Sequence, residues 1–437
     1  MEYLEKKDFT KACILWLFPL FSVLTICSSL RFYSLPFGIG ELGIILLLLF
    51  FVVSKFNVLV KVLTNYYYLL LFFIAYLSIL LLASLVSYHK NIINIGWKHD
   101  ILAISFSGVY SFLTLLVLVY LGDYKELIKR FILYVFFLGV LSLIVNVFQK
   151  IGYYQLSIAL NMNTWYEGVR VSGWSSDPNQ WAFMFLIALF FMLRMDFIYN
   201  VKNKVSYFYL AIFFWFCLSP RSDAVLVSTF MLLLCFLFLS VFNSVKFDTK
   251  KNILALSMFI IVFAVFKYNL FGKLYDAVAS AILLSQSQVH LDSIQAKTLS
   301  NPSQMILGIG VGGDKIEVRL NLITHALQAW LTSPIIGLGA GAYSGIEAPF
   351  QGQEAHNLVV QLLVNSGLIG LLLALTLFFW LFISLRKDYQ GQLMILGVVI
   401  LVFHGGAQYM MRHPLFWMVF SVAVWEAKNR QFEVHKQ

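Results

Sequence analysis

Residues 357–385 read NLVVQLLVNSGLIGLLLALTLFFWLFISL, and this stretch contains no charged side chain. A helix that crosses the hydrocarbon core of a bilayer needs about 20 apolar residues, because a core of about 30 Å is covered at about 1.5 Å per residue. The stretch is long enough for one such helix. It therefore predicts a transmembrane segment, and the same pattern recurs along the chain.

Twelve apolar runs of this kind can be recognised. They cover approximately residues 12–29, 38–54, 65–88, 101–121, 131–149, 181–194, 205–219, 224–242, 253–267, 357–385, 393–410 and 414–427. The run from 181 is short for a span unless it extends past Asp196. The first run lacks a small-residue cleavage site, so we predict a retained helix rather than a signal peptide. The runs predict an all-α polytopic membrane protein of about 12 transmembrane helices, with residues 1–437 forming a single membrane domain.

The composition of the 437-residue chain agrees with this class. Hydrophobic residues make up 60% and charged residues 12%, whereas about a quarter of a soluble protein is charged. A soluble domain, a disordered chain and a secreted disulfide scaffold are excluded. The four cysteines lie inside apolar runs, so they predict neither a disulfide framework nor a metal cluster.

The distribution of positive charge predicts the topology. The formal net charge is +10, and most of the 31 Lys and Arg residues fall on the side of the N-terminus when the runs alternate across the membrane. Cytoplasmic loops carry the excess of Lys and Arg in membrane proteins. We therefore predict that both termini are cytoplasmic, and we attribute the charge to topology rather than to nucleic-acid binding.

Two long loops then lie outside, at 150–180 and 268–356. The second is too long for a structureless connector, and we predict that residues 268–356 form a periplasmic cap between the ninth and tenth spans. Within it, apolar residues recur at helical spacing from Arg319 to Trp330 and predict a helix that ends at Ser333-Pro334. Next comes GLGAG at 337–341, a turn that lets the backbone approach another surface closely.

Arginines in the predicted outside loops are exceptions to the rule that basic residues concentrate in cytoplasmic loops. Their presence there therefore requires an explanation. They are Arg170, Arg221, Arg319 and Arg412. A guanidinium is always charged and forks onto phosphate oxygens, so such a group at the outer leaflet suits a lipid diphosphate. The alternative is that each arginine reaches toward lipid headgroups or pairs with a nearby acid such as Asp223 or Glu317.

His356 stands where the cap loop meets the tenth span. A neutral imidazole can take a proton from a hydroxyl near neutral pH, so His356 is a candidate general base. The alternative is an interfacial or helix-capping histidine.

SGWSSDPNQ at 172–180 lies between the fifth and sixth spans. Its Asp-Pro-Asn sequence is typical of turns and helix caps. In a functional interpretation, Asp177 and Asn179 orient substrate sugars and Trp174 stacks on a sugar face. No cofactor is indicated, because the outside loops contain no metal-ligand spacing, phosphate loop or dinucleotide fingerprint.

Taken together, these segments resemble the O-antigen ligase and polymerase superfamily of bacterial envelope glycosyltransferases. His356-Asn357 is followed by nine residues and then by Gly367, two residues and Gly370, which is similar to the ligase pattern. The helix of Arg319 with SPIIGLGAG at 333–341, SGWSSDPN at 172–179 and SPRS at 219–222 resemble the other family landmarks, in the family's order.

The resemblance implies a metal-independent inverting glycosyltransferase in the bacterial inner membrane, with its active site facing the periplasm. The implied donor is an undecaprenyl-diphosphate-linked glycan, and the acceptor is lipid A-core or a second lipid-linked glycan. A chain-length regulator protein is a candidate partner. By this resemblance His356 is the general base, and Arg221 and Arg319 hold the diphosphate. Arg170, Arg412 and Asn357 are weaker candidates for substrate binding.

Three other functions remain open beside an O-antigen ligase. Arg170 and Arg319 lack a glycine eleven positions later, where Trp181 and Trp330 stand, and this favours a ligase over an O-antigen polymerase. A protein O-oligosaccharyltransferase would use the same donor. A 12-span secondary transporter is the alternative from another class, and His404 is the only ionisable residue well inside a predicted span. A purely structural scaffold would leave the outside arginines and His356 without a role.

Overall fold

A computed structural model describes residues 2–31, 38–89, 97–150, 152–162, 171–175, 177–199, 204–242, 257, 259–261, 263, 315–341, 355, 357–387, 389–407 and 409–434. In parts of some helices, including residues 204–208 and 315–319, the backbone alone is described. Of the described residues 85% are helical, and none of them forms a strand. The chain is therefore almost entirely helical, as predicted.

The helices are named here in chain order. They are α1 (Glu2–Leu24), α2 (Ile39–Ser54), α3 (Phe56–Asn65), α4 (Tyr67–His89), α5 (Trp97–Leu121), α6 (Lys125–Lys150), α7 (Gln155–Ala159), α8 (Pro178–Tyr199), α9 (Lys204–Leu218), α10 (Asp223–Phe242), α11 (Lys315–Leu331), α12 (Leu358–Leu385), α13 (Tyr389–His404) and α14 (Pro414–Val434). Short 3-10 turns cover Ser28–Leu30, Gly405–Ala407 and Met410–Arg412. Each predicted apolar run coincides largely with one of these helices except 253–267, most of which is outside the described residues. The runs 12–29 and 393–410 extend past the ends of α1 and α13 into the 3-10 turns.

Several helices are long and apolar enough to cross a membrane. Within the described residues there are five: Tyr67–His89, Lys98–Leu121, Lys125–Lys150, Pro178–Met195 and Leu358–Leu385. The count becomes six if α2 and α3, which are bent by 101° relative to each other, form one span. Shorter apolar helices coincide with other predicted runs, at Phe9–Leu24, Tyr209–Leu218, Ala224–Phe236 and Gln390–His404. The chain is thus a helical membrane protein, and the total of about 12 spans stays a prediction.

Helix α8 lies at the centre of the bundle. Every residue from Trp181 to Leu193 is buried, which is the expected environment for a helix that is apolar on all sides. The helix also continues past Asp196 to Tyr199, so the run that looked short belongs to a longer helix. Outer helices instead expose apolar side chains; Val53 and Phe379, for example, have 80% and 66% of their surface exposed. Such surfaces suit contact with lipid chains rather than water.

Loop contacts define one end of the bundle, which we call the Arg412 end. Ser29 N donates to Trp174 O at 2.9 Å, Val171 N to Ser219 O at 3.4 Å, and Arg412 Nη1 to Asp100 Oδ1 at 2.6 Å. The Arg412 end comprises residues 25–31, 84–89, 97–100, 155–162, 171–175, 177, 219–222, 333–341, 357, 405–407 and 409–413. These residues belong to loops that were predicted to lie on the outside, or to the adjoining ends of predicted spans.

A buried ion pair marks the opposite end, which we call the Arg194 end. Arg194 Nη2 lies 2.7 and 2.8 Å from the two carboxylate oxygens of Glu426, and Nη1 donates to Tyr124 Oη at 2.8 Å. Only 1% of the Arg194 side chain and 6% of the Glu426 side chain are exposed. The Arg194 end comprises residues 54–68, 118–126, 194–199, 385–387, 389–391 and 426–434. Basic residues that were predicted to be cytoplasmic, such as Lys55, Arg386 and Lys428, lie there.

Helix α11 confirms the predicted helix that begins near Arg319 and ends before Ser333-Pro334. Its buried side chains are Leu322, Ala326 and Ala329, which pack against Leu338 and against α12. Of the apolar residues whose spacing predicted this helix, Ile323, Leu327 and Trp330 are half-buried against the same core, whereas Leu320 is 57% exposed. Together these residues form a small second core beside the main bundle. The cap assigned to 268–356 is described only at 315–341 and 355.

Candidate functional site

The glycine-rich turn at 337–341 inserts into a break in α12. Four backbone hydrogen bonds join the two segments: Leu338 N to Val364 O at 2.7 Å, Gly339 N to Asn365 O at 2.9 Å, Leu368 N to Pro334 O at 3.0 Å and Ile369 N to Ile335 O at 3.1 Å. The turn thereby satisfies backbone groups that the break in the helix would otherwise leave without partners.

The break lies at Gly367, which has a φ of 61° and a ψ of −163°. This backbone conformation is open to glycine and strained for other residues. An added Cβ would also overlap the carbonyl oxygen of Ile335. Gly367 is the first glycine of the pattern that begins at His356-Asn357. The structure explains why a glycine stands there, since only glycine lets the 333–341 segment cross α12 so closely.

The turn also packs against α4. Ser87 Oγ donates to Leu338 O at 2.6 Å, and Ala340 N donates to Ser84 Oγ at 3.2 Å. At Gly339, with a φ of 89°, a side chain would meet the backbone of Ser84. The glycines thus allow close approach to a second surface, as the sequence predicted.

Asp100 joins the end of this turn to Arg412. Asp100 Oδ2 accepts a hydrogen bond from Gly341 N at 3.0 Å, and its Oδ1 accepts one from Arg412 Nη1. The Arg412 side chain is 19% exposed and that of Asp100 is 9% exposed. The guanidinium carbon also lies 5.4 Å from the ring centre of Tyr409. Arg412, a weak candidate from the sequence, is therefore held in place by a carboxylate, a glycine turn and an aromatic ring.

Asp100 was missed by the sequence reasoning. It immediately precedes the predicted run 101–121 and lies in the first turn of α5, where a carboxylate is favoured by the helix dipole. Asp100 stands beside basic residues in a loop that was predicted to lie on the outside. That position was the signal in the sequence that could have identified it as a candidate site residue.

Two histidines lie beneath Arg412. His404 and His413 pack against the ring of Phe183, at centroid distances of 5.0 and 5.5 Å. His413 lies in the connection between α13 and α14, outside both helices. Burial, followed by the charge of Arg412, lowers the pKa of His413 to about 3. His413 is therefore neutral near pH 7, and the positive charge here comes from the arginines.

Arg221 adopts an unusual backbone conformation. Its φ is 53°, which is uncommon for a residue other than glycine, and its side chain is exposed. The preceding Ser219 accepts a hydrogen bond from Val171 N, which links this turn to the 171–177 segment. A strained backbone with an exposed charge is compatible with a binding role. The side chain of Asp223, its predicted neutralising partner, lies outside the described residues.

The 171–179 segment has clear structural roles. Trp174 is 6% exposed, donates from Nε1 to Leu160 O at 2.8 Å, and packs on Trp181 at 6.1 Å. Asp177 accepts from Asn179 N at 2.8 Å, at the start of α8. The capping alternative therefore describes Asp177 well, while the sugar-binding roles of Trp174, Asp177 and Asn179 stay predictions.

The chain is anchored on both sides of position 356. Asn357 Oδ1 accepts from Val359 N at 3.0 Å and from Val360 N at 3.1 Å, and so caps α12. On the other side, Ala355 N donates to Gln361 Oε1 at 3.0 Å. His356, Arg170 and the side chain of Arg319 lie outside the described residues. Among the side chains that are described, no group of three or more His, Cys, Asp or Glu could hold a metal ion.

The structure brings these candidates together in two neighbouring groups. In one, Arg412 contacts Asp100, and Asn357 Nδ2 lies 3.5 Å from Gly406 O in the connection that leads to Arg412. In the other, the segment that holds Trp174 is joined to the turn of Arg221 by the hydrogen bond from Val171 N to Ser219 O. Helix α8 joins them, because Trp181 contacts Trp174 and Phe183 contacts His413. Arg31 also belongs to this end, where Nη2 lies 3.4 Å from Glu41 Oε1.

No protein-family model matches the chain, and no curated protein gives a significant match. The resemblance to O-antigen ligases and polymerases therefore rests on the motifs quoted above.

Proposed function

We propose that the chain is an inner-membrane glycosyltransferase of the O-antigen ligase type. It would move a glycan from undecaprenyl diphosphate to a hydroxyl of lipid A-core on the periplasmic face. In this proposal about twelve spans cross the membrane, both termini are cytoplasmic, and the Arg412 end faces the periplasm. Every candidate residue then lies on the side where the lipid-linked donor is used.

One observation carries the proposal. The glycine turn, Asn357 of the His-Asn pattern, the 171–175 segment with Asp177, and the turn at Arg221 come from separate parts of the sequence, yet all lie at the Arg412 end. These are the described parts of the four motifs that resemble the family. Such a gathering is what a shared active site requires, whereas unrelated surface motifs need not meet at one end.

In the proposed mechanism, the acceptor hydroxyl oxygen attacks the anomeric carbon as its proton passes to His356. The bond from that carbon to the diphosphate oxygen breaks, and undecaprenyl diphosphate leaves with the bonding electrons. Arg221 and Arg319 stabilise the negative charge of the leaving group. Arg412, already oriented by Asp100, is placed to bind a further anionic or polar group of the donor.

The position of His404 bears on the transporter alternative. His404 is the last residue of α13, and it directly precedes the 3-10 turn Gly405–Ala407 of the Arg412 end. Transporter sites lie near the bilayer midplane, where interrupted helices meet. The one ionisable residue that was predicted well inside a span thus lies at the end of its helix, and this gives the transporter alternative no midplane site at His404.

A deletion strain tests the proposed function. Envelope polysaccharide would be resolved on a silver-stained gel, with lipid-linked glycan extracted in parallel. We expect long lipid-linked chains together with bare lipid A-core. Core that bears a single repeat would identify a polymerase instead. An unchanged pattern would contradict both and would favour protein glycosylation or transport.

The role of Arg412 can be tested by complementing that strain with Arg412→Lys. We expect transfer to fall about tenfold, because an ammonium keeps the charge but loses the fork that binds Asp100 and an anion together. Arg386→Lys, an exposed arginine at the Arg194 end, is the matched control and should transfer normally. Equal transfer by the two variants would exclude a forked contact by Arg412.

A further inference from the structure

A sharp bend places α3 across the Arg194 end. Helices α2 and α3 meet at Lys55 and differ in direction by 101°. Helix α3 packs against α5, and Lys55 Nζ lies 5.3 Å from the centre of the Tyr120 ring. If α2 crosses the bilayer, α3 runs along its surface. This is the position of an interfacial amphipathic helix.

Helix α3 has an apolar face and a polar face, as expected for a helix that lies along the membrane surface. Phe56, Val60 and Leu63 are exposed by 60%, 42% and 37%, and they share one face at helical spacing. Lys61 and Asn57 form the neighbouring polar face and are also exposed. Val62 is fully buried against the bundle. The helix therefore presents an apolar stripe beside a basic one.

A groove of about 350 Å³ lies beside the basic stripe. It is lined by Lys11, Asn57, Val58, Lys61, Val119 and Tyr120. None of these lining residues is acidic. The Tyr120 hydroxyl is buried and has no hydrogen-bond partner among the described residues. Lys11, Lys61 and Asn57 thus bring two ammonium groups and an amide to the groove, and these groups can donate hydrogen bonds to an anion.

We propose that this groove binds the phosphate headgroup of an anionic phospholipid. Lys11 and Lys61 would contact the phosphate, Asn57 would donate to phosphate or glycerol oxygens, and Tyr120 would form part of the wall. The acyl chains would lie along Phe56, Val60 and Leu63. Charge complementarity selects an anionic lipid over a zwitterionic one, whose added cation would face the lysines. The site lies at the opposite end from the candidate active site and is independent of the proposed function.

Thermal unfolding of the purified full-length protein in detergent tests this site. The unfolding midpoint would be followed against added short-chain phosphatidylglycerol, phosphatidylcholine with the same chains, or glycerol 3-phosphate. A ligand that binds only the folded state raises the midpoint with concentration. We expect a rise with phosphatidylglycerol alone. An equal rise with phosphatidylcholine would overturn the proposal, and a rise with glycerol 3-phosphate would show a site for a soluble anion instead.

Variants show whether the lipid effect arises in the groove. We expect Lys11→Gln with Lys61→Gln to weaken the apparent affinity about thirtyfold, because each lysine near an anionic headgroup contributes about 1 kcal/mol. The double Lys→Arg variant should retain binding. Lys387→Gln, an exposed lysine at the same end but outside the groove, is the control. Lys61→Gln alone covers the case in which the double variant is unstable. An unchanged affinity in the glutamine variants would refute the site.

Discussion

Replacing His356 by Ala is expected to lower glycan transfer roughly 10³-fold while leaving the amount of protein in the membrane unchanged. The imidazole is the proposed proton acceptor, and alanine offers none. The flanking anchors, Gln361 to Ala355 and Asn357 to α12, do not involve the side chain of residue 356. The measurement is transfer from extracted lipid-linked glycan to lipid A-core in membranes, normalised to protein quantity.

His89→Ala is the matched control for this variant. His89 lies in the last turn of α4 at the same end of the bundle, and its side chain is exposed. It has no role in the proposed mechanism, so its replacement should leave transfer intact. Normal transfer by His356→Ala would remove the proposed base. A parallel loss in both variants would show that the assay reports general damage to this end of the protein.

Replacing Gly367 by Ala should produce the largest loss of stability among the variants considered, about 3 kcal/mol or more. Alanine is strained at a φ of 61°, and its Cβ would overlap the Ile335 carbonyl oxygen. Either α12 or the 333–341 segment must move, which would disturb the four backbone hydrogen bonds between them. The thermal unfolding midpoint of the purified protein would report the loss, together with the amount of folded protein recovered.

The variant Gly122→Ala distinguishes the effect of backbone strain from the effect of steric overlap by the added Cβ. Gly122 has a φ of 76°, yet nothing lies within 4 Å of its added Cβ. That variant should lose only about 1 kcal/mol, the cost of a left-handed conformation for an L-residue. If Gly367→Ala were no worse than Gly122→Ala, the close crossing of α12 by the glycine turn would not contribute to stability.

The sequence predicted the helices better than it predicted the relations between them. Apolar runs identify helices because each must satisfy its backbone groups internally in lipid. The bend between α2 and α3 could not be foreseen, since no proline or glycine stands at Lys55. Nor does composition distinguish α8 at the centre from the lipid-exposed helices. Both properties depend on contacts between distant parts of the chain.

In the candidate site, too, local backbone features could be predicted from the sequence, whereas contacts between distant segments could not. The glycines at 337–341 and 367 could be recognised as backbone features, because few other residues tolerate such conformations. Their pairing with each other could not be derived, as it depends on the path of the intervening chain. Asp100 and Arg412 are 312 positions apart, and neither indicates the other in a single sequence. Arg412 therefore became a well-supported candidate only once the packing of α5 beside the 405–413 connection was known.

The buried pair of Arg194 and Glu426 has a consequence for biosynthesis. The two residues are separated by 232 positions, and Glu426 lies near the end of the chain. During translation, α8 leaves the ribosome long before α14, so Arg194 has no carboxylate partner while most of the protein is being made. Its guanidinium must stay near water or headgroups until the last helix arrives. The central helix can therefore settle into its final place only after synthesis is almost complete. A chain truncated before α14 would leave Arg194 without this carboxylate and α8 out of its final place, and quality-control proteases act on such unassembled helices.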